Sequence, residues 1–167
     1  MNTIRKASTD DKLLIRELAS RVWGNTYGHI LSKDQLEYMF EMMYAPENIA
    51  RQMEEKKHVY FIVYSDNVPC GYISIEKVDE NTFIFQKIYL LPSFQGKGLG
   101  RYLIEQGTDY IRSIHPQPCK VQLYVNRGNK ALEFYKKMGF KIIDFRDYPI
   151  GNGYFMNDYI MEMNLCD

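Results

Sequence analysis

The densest chemical signal in the chain is a run of six residues, Gln95-Gly96-Lys97-Gly98-Leu99-Gly100. Glycine lets a backbone come close to a ligand, and a helix starting beside it offers unpaired N–H groups with partial positive charge. Residues 88–94 lead in as a strand stopped by a proline. Leu99, Leu103, Ile104, Thr108 and Ile111 then recur at helical spacing. The segment therefore predicts an anion site. It is not a dinucleotide fingerprint, because counting from Gly96 or Gly98 puts Arg101 or Leu103 where the last glycine belongs. Nor is it a P-loop, because Lys97 is followed by Gly98 rather than Ser or Thr. What fits is Gln-x-x-Gly-x-Gly, carried by Gln95, Gly98 and Gly100.

The elements that must position this loop alternate in period. Residues 4–7 read as a strand, and Ser8-Thr9-Asp10 caps a helix carrying Leu14, Leu18 and Val22. Gly24-Asn25 is expected to end that helix just after Trp23. Ser32 and Gln35, three apart, form a capping box for a second helix, and Pro46 opens a short third one to about residue 56. Residues 59–64, 70–78 and 82–91 are strand-like, followed by the loop and its helix. A strand at 121–125, a helix at 129–138 ended by Gly139, and strands at 140–145 and 155–165 close the chain. The order β-α-α-(α)-β-β-β-α-β-α-β-β predicts an α+β fold in one domain over residues 1–167.

Composition narrows the function classes. Lysine plus arginine equals aspartate plus glutamate at 21 each, so no basic field favours nucleic acid or a membrane surface. The three cysteines, Cys70, Cys119 and Cys166, are far apart and read as reduced thiols. His29, His58 and His115 form no metal-binding spacing, so no metal is expected. Without a signal-like or membrane-spanning apolar run, the expectation is a soluble, cytoplasmic protein.

A second segment changes the weight of the first. Residues 123–140 read as a strand, then Asn129-Lys130-Ala131-Leu132, then Phe134-Tyr135, and Gly139-Phe140 at the helix end. Together with Gln95–Gly100 this resembles the GCN5-related N-acetyltransferase (GNAT) family, whose two motifs occur in this order, and the element order matches over nearly the whole chain. The resemblance implies a GNAT-like mixed, mostly antiparallel sheet of about seven strands flanked by helices. It implies acetyl-CoA as acetyl donor, with the diphosphate on the amides of Gly96 to Gly100 and Gln95, Lys97, Leu99 and Arg101 beside it. The pantetheine arm would lie along Ile88, Tyr89 and Leu90. Asn129 matches the family asparagine that orients the cofactor, and Lys137 a basic position near the adenosine phosphate. Tyr135 matches the tyrosine that protonates the leaving thiolate, and a backbone N–H near Leu90 would meet the oxyanion.

An alkylammonium with a pKa near 10.4 must lose a proton before it attacks. Where some family members carry a glutamate base on the strand before the loop, this chain has Gln86 and Lys87, so Glu76 on the neighbouring strand is the substitute candidate. The resemblance also implies that acceptor selection falls to the first helices, with Trp23 and Tyr27 in an aromatic connection. Residues 23–32 loosely resemble the polyamine-acetylating branch, and Asp34, Glu37 and Glu41 would favour a cationic amine. The leading expectation is acetyl transfer to a primary amine of a small molecule, with a homodimer possible. The alternatives are a protein or peptide N-acetyltransferase and a non-catalytic CoA-binding regulatory module.

Overall fold

The computed structural model describes residues 1–165; Cys166 lies outside them. β1 (Asn2–Lys6) is followed by a short turn in which Ser8 and Asp11 cap each other's backbone. Three helices come next: α1 (Lys12–Tyr27), α2 (Lys33–Tyr44) and α3 (Pro46–Glu54). Strands β2 (Val59–Ser65), β3 (Val68–Asp79) and β4 (Thr82–Leu90) form a meander. α4 (Leu99–Ile114), β5 (Cys119–Asn126), α5 (Ala131–Lys137), β6 (Lys141–Gly151) and β7 (Tyr154–Leu165) complete the chain.

The seven strands make one sheet in the order β1-β2-β3-β4-β5-β7-β6. Every neighbouring pair is antiparallel except β4 with β5. This is the α+β GNAT-like architecture expected. Consecutive residues of β3 face opposite layers, as strand geometry requires. Tyr72 points to α2, where the Tyr44 ring meets it edge-on, while Ile73 points to α4. α4 comes close to the sheet at Gly107, where a Cβ would sit 3.0 Å from both Ile73 and Phe85. The two sides of the sheet thus share one core, from Ile15, Leu18 and Ile49 to Leu103, Ile111 and Phe140.

Two local expectations change. α1 does not stop at Gly24-Asn25 but runs on to Tyr27. A glycine inside a helix costs only about 1 kcal/mol, and that is outweighed here by packing of Tyr27 on Trp23 at 4.7 Å between ring centres. Trp23 and Tyr27 are therefore one helical face rather than a connection. β6 also extends past residue 145 to Gly151, through Pro149. It is an edge strand, where a missing N–H removes no ladder bond on the solvent side.

The parallel pair creates the opening. β4 and β5 are bonded only from Thr82–Lys120 to Phe85–Leu123. Both strands continue, to Leu90 and Asn126, without pairing to each other. They diverge like a V, leaving backbone groups of each strand directed into a cleft.

Candidate functional site

The cleft between the diverging strands has a volume of about 750 Å³. Ile88, Tyr89 and Leu90 line one wall and Tyr124 and Val125 the other. At its outer end lie Gln95, Gly96, Gly98, Gly100 and Arg101, and Asn129 and Tyr135 come in from the α5 side. The sequence motifs are therefore brought to one place. Gly96 and Gly98 both have left-handed backbone, with φ of +78° and +80°, and nothing lies within 4 Å of where a Cβ would be. Gly98 is the residue before α4, so the first N–H groups of that helix open toward the cleft. That is the geometry an anionic diphosphate needs.

Some expected residues have a further role or sit elsewhere. Gln95 braces the loop: its Nε2 donates to the carbonyl oxygen of Leu90 at 3.2 Å. Lys97 does not line the cleft and lies over the Phe94 ring, 5.6 Å from its centre. Leu99 is buried beneath the loop as packing. Lys137 is exposed on the last turn of α5, outside the lining, whereas Arg101 and Lys130 are the lysine or arginine side chains that reach it. Lys130 was not anticipated, since helix facing decides which lysine of a short segment points inward.

A second, smaller pocket of about 60 Å³ shares Tyr27, Gln86, Tyr89 and Tyr124 with the cleft. It is closed by Trp23, Met39 and Met43 from the first helices, by Leu31 between α1 and α2, and by Phe155 and Met156 from β7. The tip of the β6–β7 hairpin is tied to α2: Tyr38 Oη donates to Ile150 O at 2.7 Å, and Gln35 Nε2 to Phe155 O at 2.9 Å. Gln35 thus uses its side chain on the hairpin rather than to complete the capping box. Trp23 and Tyr27 both line this pocket, and Tyr27 Oη shares a 2.8 Å hydrogen bond with Tyr89 Oη. Burial pushes the Tyr27 phenol up to about 12.

Its polar lining holds residues that sequence reasoning did not single out. Asp158 is nearly buried, and the guanidinium of Arg146 binds it at 3.1 Å while lying over the Tyr124 ring at 3.9 Å. Burial raises the Asp158 carboxyl despite that partner. Both residues depend on the β6–β7 register, Arg146 opposite Asp158, which no local pattern displays. Of the acidic residues expected on α2, Glu41 is held by Arg16 at 2.7 Å, and neither Asp34 nor Glu37 lines the pocket.

Lys87 is the least expected. It is 6% exposed, yet its Nζ finds three acceptors: Met43 O at 3.3 Å, Gln52 Oε1 at 2.9 Å and the Tyr60 hydroxyl. The ring of Tyr44 lies 4.2 Å away. Desolvation pushes the amine down to about 7. The unfolded chain, with an ordinary lysine near 10.4, then binds more protons than the folded one between about pH 7 and 10. Stability contributed by this residue must therefore rise with pH, by up to about 1.4 kcal/mol per unit. Urea unfolding from pH 6.5 to 9 is expected to show this slope, and Lys87→Met is expected to remove it. A slope unchanged in Lys87→Met would show that Lys87 stays charged throughout.

Glu76 lines neither cavity. Its Oε1 accepts from Gln86 Nε2 at 2.8 Å and lies 3.3 Å from His58 Nε2. Tyr135 is buried in the cleft wall against Phe134 and Phe140, and burial raises its phenol, keeping it protonated at neutral pH.

With this geometry in place, comparison decides the family. The acetyltransferase (GNAT) domain family matches residues 56–142, more than half of the chain and the whole span from β2 to α5. The chain belongs to the GNAT family. It is an acetyl-CoA-dependent N-acetyltransferase, and the residues fit that donor: a helix start with two left-handed glycines faces an apolar cleft walled by unpaired strand backbone. The chain is 28% identical over 146 residues to a spermidine N(1)-acetyltransferase of Thermoplasma acidophilum, covering 84% of this chain and 89% of that one. A crystal structure of PaiA N-acetyltransferase from the same organism, in complex with coenzyme A, superposes with a TM-score of 0.82 at 25% identity, covering 99% of each chain. The fold is also like that of the ribosomal-protein-S18-alanine N-acetyltransferase from Escherichia coli, with a TM-score of 0.73 at 20% identity over 100% of this chain and 96% of that one. Among the described residues, no helix of this GNAT enzyme is long and apolar enough to cross a membrane.

Proposed function

We propose that this enzyme acetylates the primary amine of a small molecule by direct attack of the amine on the thioester. The observation that carries this reading is the closed acceptor side. The pocket next to the cleft is about 60 Å³, room for an amine head and very few waters, and two hydrogen bonds tie the β6–β7 hairpin to α2 beside it, which leaves little space for a peptide. The spermidine-acetylating relative makes a polyamine the first acceptor to try.

In this reading the N–H groups at the start of α4 hold the diphosphate, with Arg101 and Lys130 adding positive charge. The open edges of β4 and β5 align the pantetheine arm by strand-like hydrogen bonds. Asn129 turns the chain into α5, with its Oδ1 accepting from the Ala131 N–H at 2.9 Å, and so sets Tyr135 in the wall. Tyr135, a phenol that burial holds above its ordinary value, gives its proton to the departing sulfur. The amine enters past Trp23, Tyr27 and Tyr89, whose rings exclude water from the reacting centre.

The test is thiol release from acetyl-CoA with a matched series, from a free alkylamine or polyamine to the same amine embedded in peptides of growing length. Rates are expected to fall by at least about tenfold once the amine is part of a tripeptide. Tyr38→Ala, which releases the hairpin from α2, should narrow that gap. Peptides outrunning every small amine would overturn the reading.

A further inference from the structure

Gln86 stands at the junction of the two cavities, lining both. The backbone puts it there by a bulge. Lys87 is opposite Ser74 and Phe85 is opposite Ile75, so Gln86 is the one residue between them with no partner on β3. Bulges re-aim a side chain in this way. Its amide is then held in one sense by chemistry alone. An ionised carboxylate only accepts hydrogen bonds, so the group within 2.8 Å of Glu76 Oε1 must be the –NH₂ of Gln86. The carbonyl end has no donor among the described residues.

We propose that Gln86 Oε1 is the hydrogen-bond acceptor that orients the N–H of the incoming amine, and that Glu76 is the positioning residue that keeps that oxygen turned toward the cavities. Gln86 takes no proton. It holds one N–H of the attacking nitrogen so that the lone pair faces the thioester carbonyl. The N–C bond forms first, the C–S bond breaks as the oxyanion collapses, and the proton nitrogen sheds passes through water to replace the one Tyr135 gives to sulfur. Glu76 serves this arrangement from outside both pockets, with His58 Nε2 3.3 Å from the same Oε1 that Gln86 meets. Flipping the amide would set the Gln86 carbonyl oxygen against a carboxylate, which is repulsive, so the acceptor end is preorganised before substrate arrives.

The proposal rests on amine acetylation but not on the acceptor's size. The test is therefore a double-mutant cycle run on whichever amine, small or peptidic, the unmodified enzyme acetylates fastest. Gln86→Met keeps the volume and removes the acceptor; it is expected to lower kcat/KM for the amine about tenfold, with acetyl-CoA affinity unchanged. Glu76→Gln, whose own amide can present either end, is expected to lower it by about threefold to tenfold in the unmodified enzyme and to have no effect in the Gln86→Met background. Full activity in Gln86→Met would overturn the proposal. So would additive losses, which would mean that Glu76 acts on its own, or a fall in acetyl-CoA affinity that tracks the loss of rate.

Discussion

Replacing Gly98 with glutamate is expected to weaken acetyl-CoA binding by at least about 100-fold, which corresponds to about 2.7 kcal/mol. Two effects act together. Gly98 has a φ of +80°, where any L side chain is strained by roughly 1–2 kcal/mol. A carboxylate at the residue before α4 also faces the place where the diphosphate would lie, replacing attraction to the helix start with like-charge repulsion. The two are separable. A Cβ at Gly98 meets nothing within 4 Å, so Gly98→Ala carries the backbone strain without the charge and should lose far less affinity. Calorimetric titration of both variants, with thermal unfolding to verify the fold, checks this. Equal, small losses in the two would place the diphosphate elsewhere.

The second large effect belongs to Tyr135. Tyr135→Phe preserves the packing against Phe134 and Phe140 and removes only the hydroxyl. If that hydroxyl protonates the leaving thiolate, kcat should fall about 100-fold, the lower range for general acid catalysis, while the KM for acetyl-CoA changes little. Burial raises the phenol, so the donor is fully protonated across pH 6 to 9 and the loss should be the same throughout that range. A loss confined to high pH would mean that another group supplies the proton. A kcat close to that of the unmodified enzyme would remove Tyr135 from the mechanism.

What could be read from the sequence was local. Gln95 to Gly100 could be read because a glycine loop and the helix it starts are neighbours in the chain, and Asn129 with Tyr135 because they share one strand-to-helix turn. Trp23 and Tyr27 were placed near the acceptor, but Gly24 was given too much weight as a helix stop. Its cost is about 1 kcal/mol, less than the packing of three aromatic rings returns. Lys137 and Lys130 show a different limit: Lys130 stands just before a seven-residue helix and Lys137 at its end, and the direction of entry decides which of them faces the cleft.

The smaller pocket, which we propose for the acceptor, was the least legible part. Arg146 meets Asp158 through the register of two strands, and Lys87 gains its three acceptors only when α2, α3 and β2 pack over it. Gln86 sits on a bulge, where the alternation of a strand fails, so the side it faces cannot be counted from its neighbours. A buried lysine or a turned amide leaves no periodic trace, because its partners are distant in the chain.

The central claim is that the closed pocket selects a small amine as the acetyl acceptor. Its most direct test is a competition: the purified enzyme, acetyl-CoA and an equimolar mixture of polyamines, amino acids and short peptides, with products identified by mass. The expected result is an acetyl mass gain on a small primary amine at a rate at least about tenfold above every peptide. Acetylation confined to peptides, or none of any acceptor by protein that binds acetyl-CoA, would contradict it.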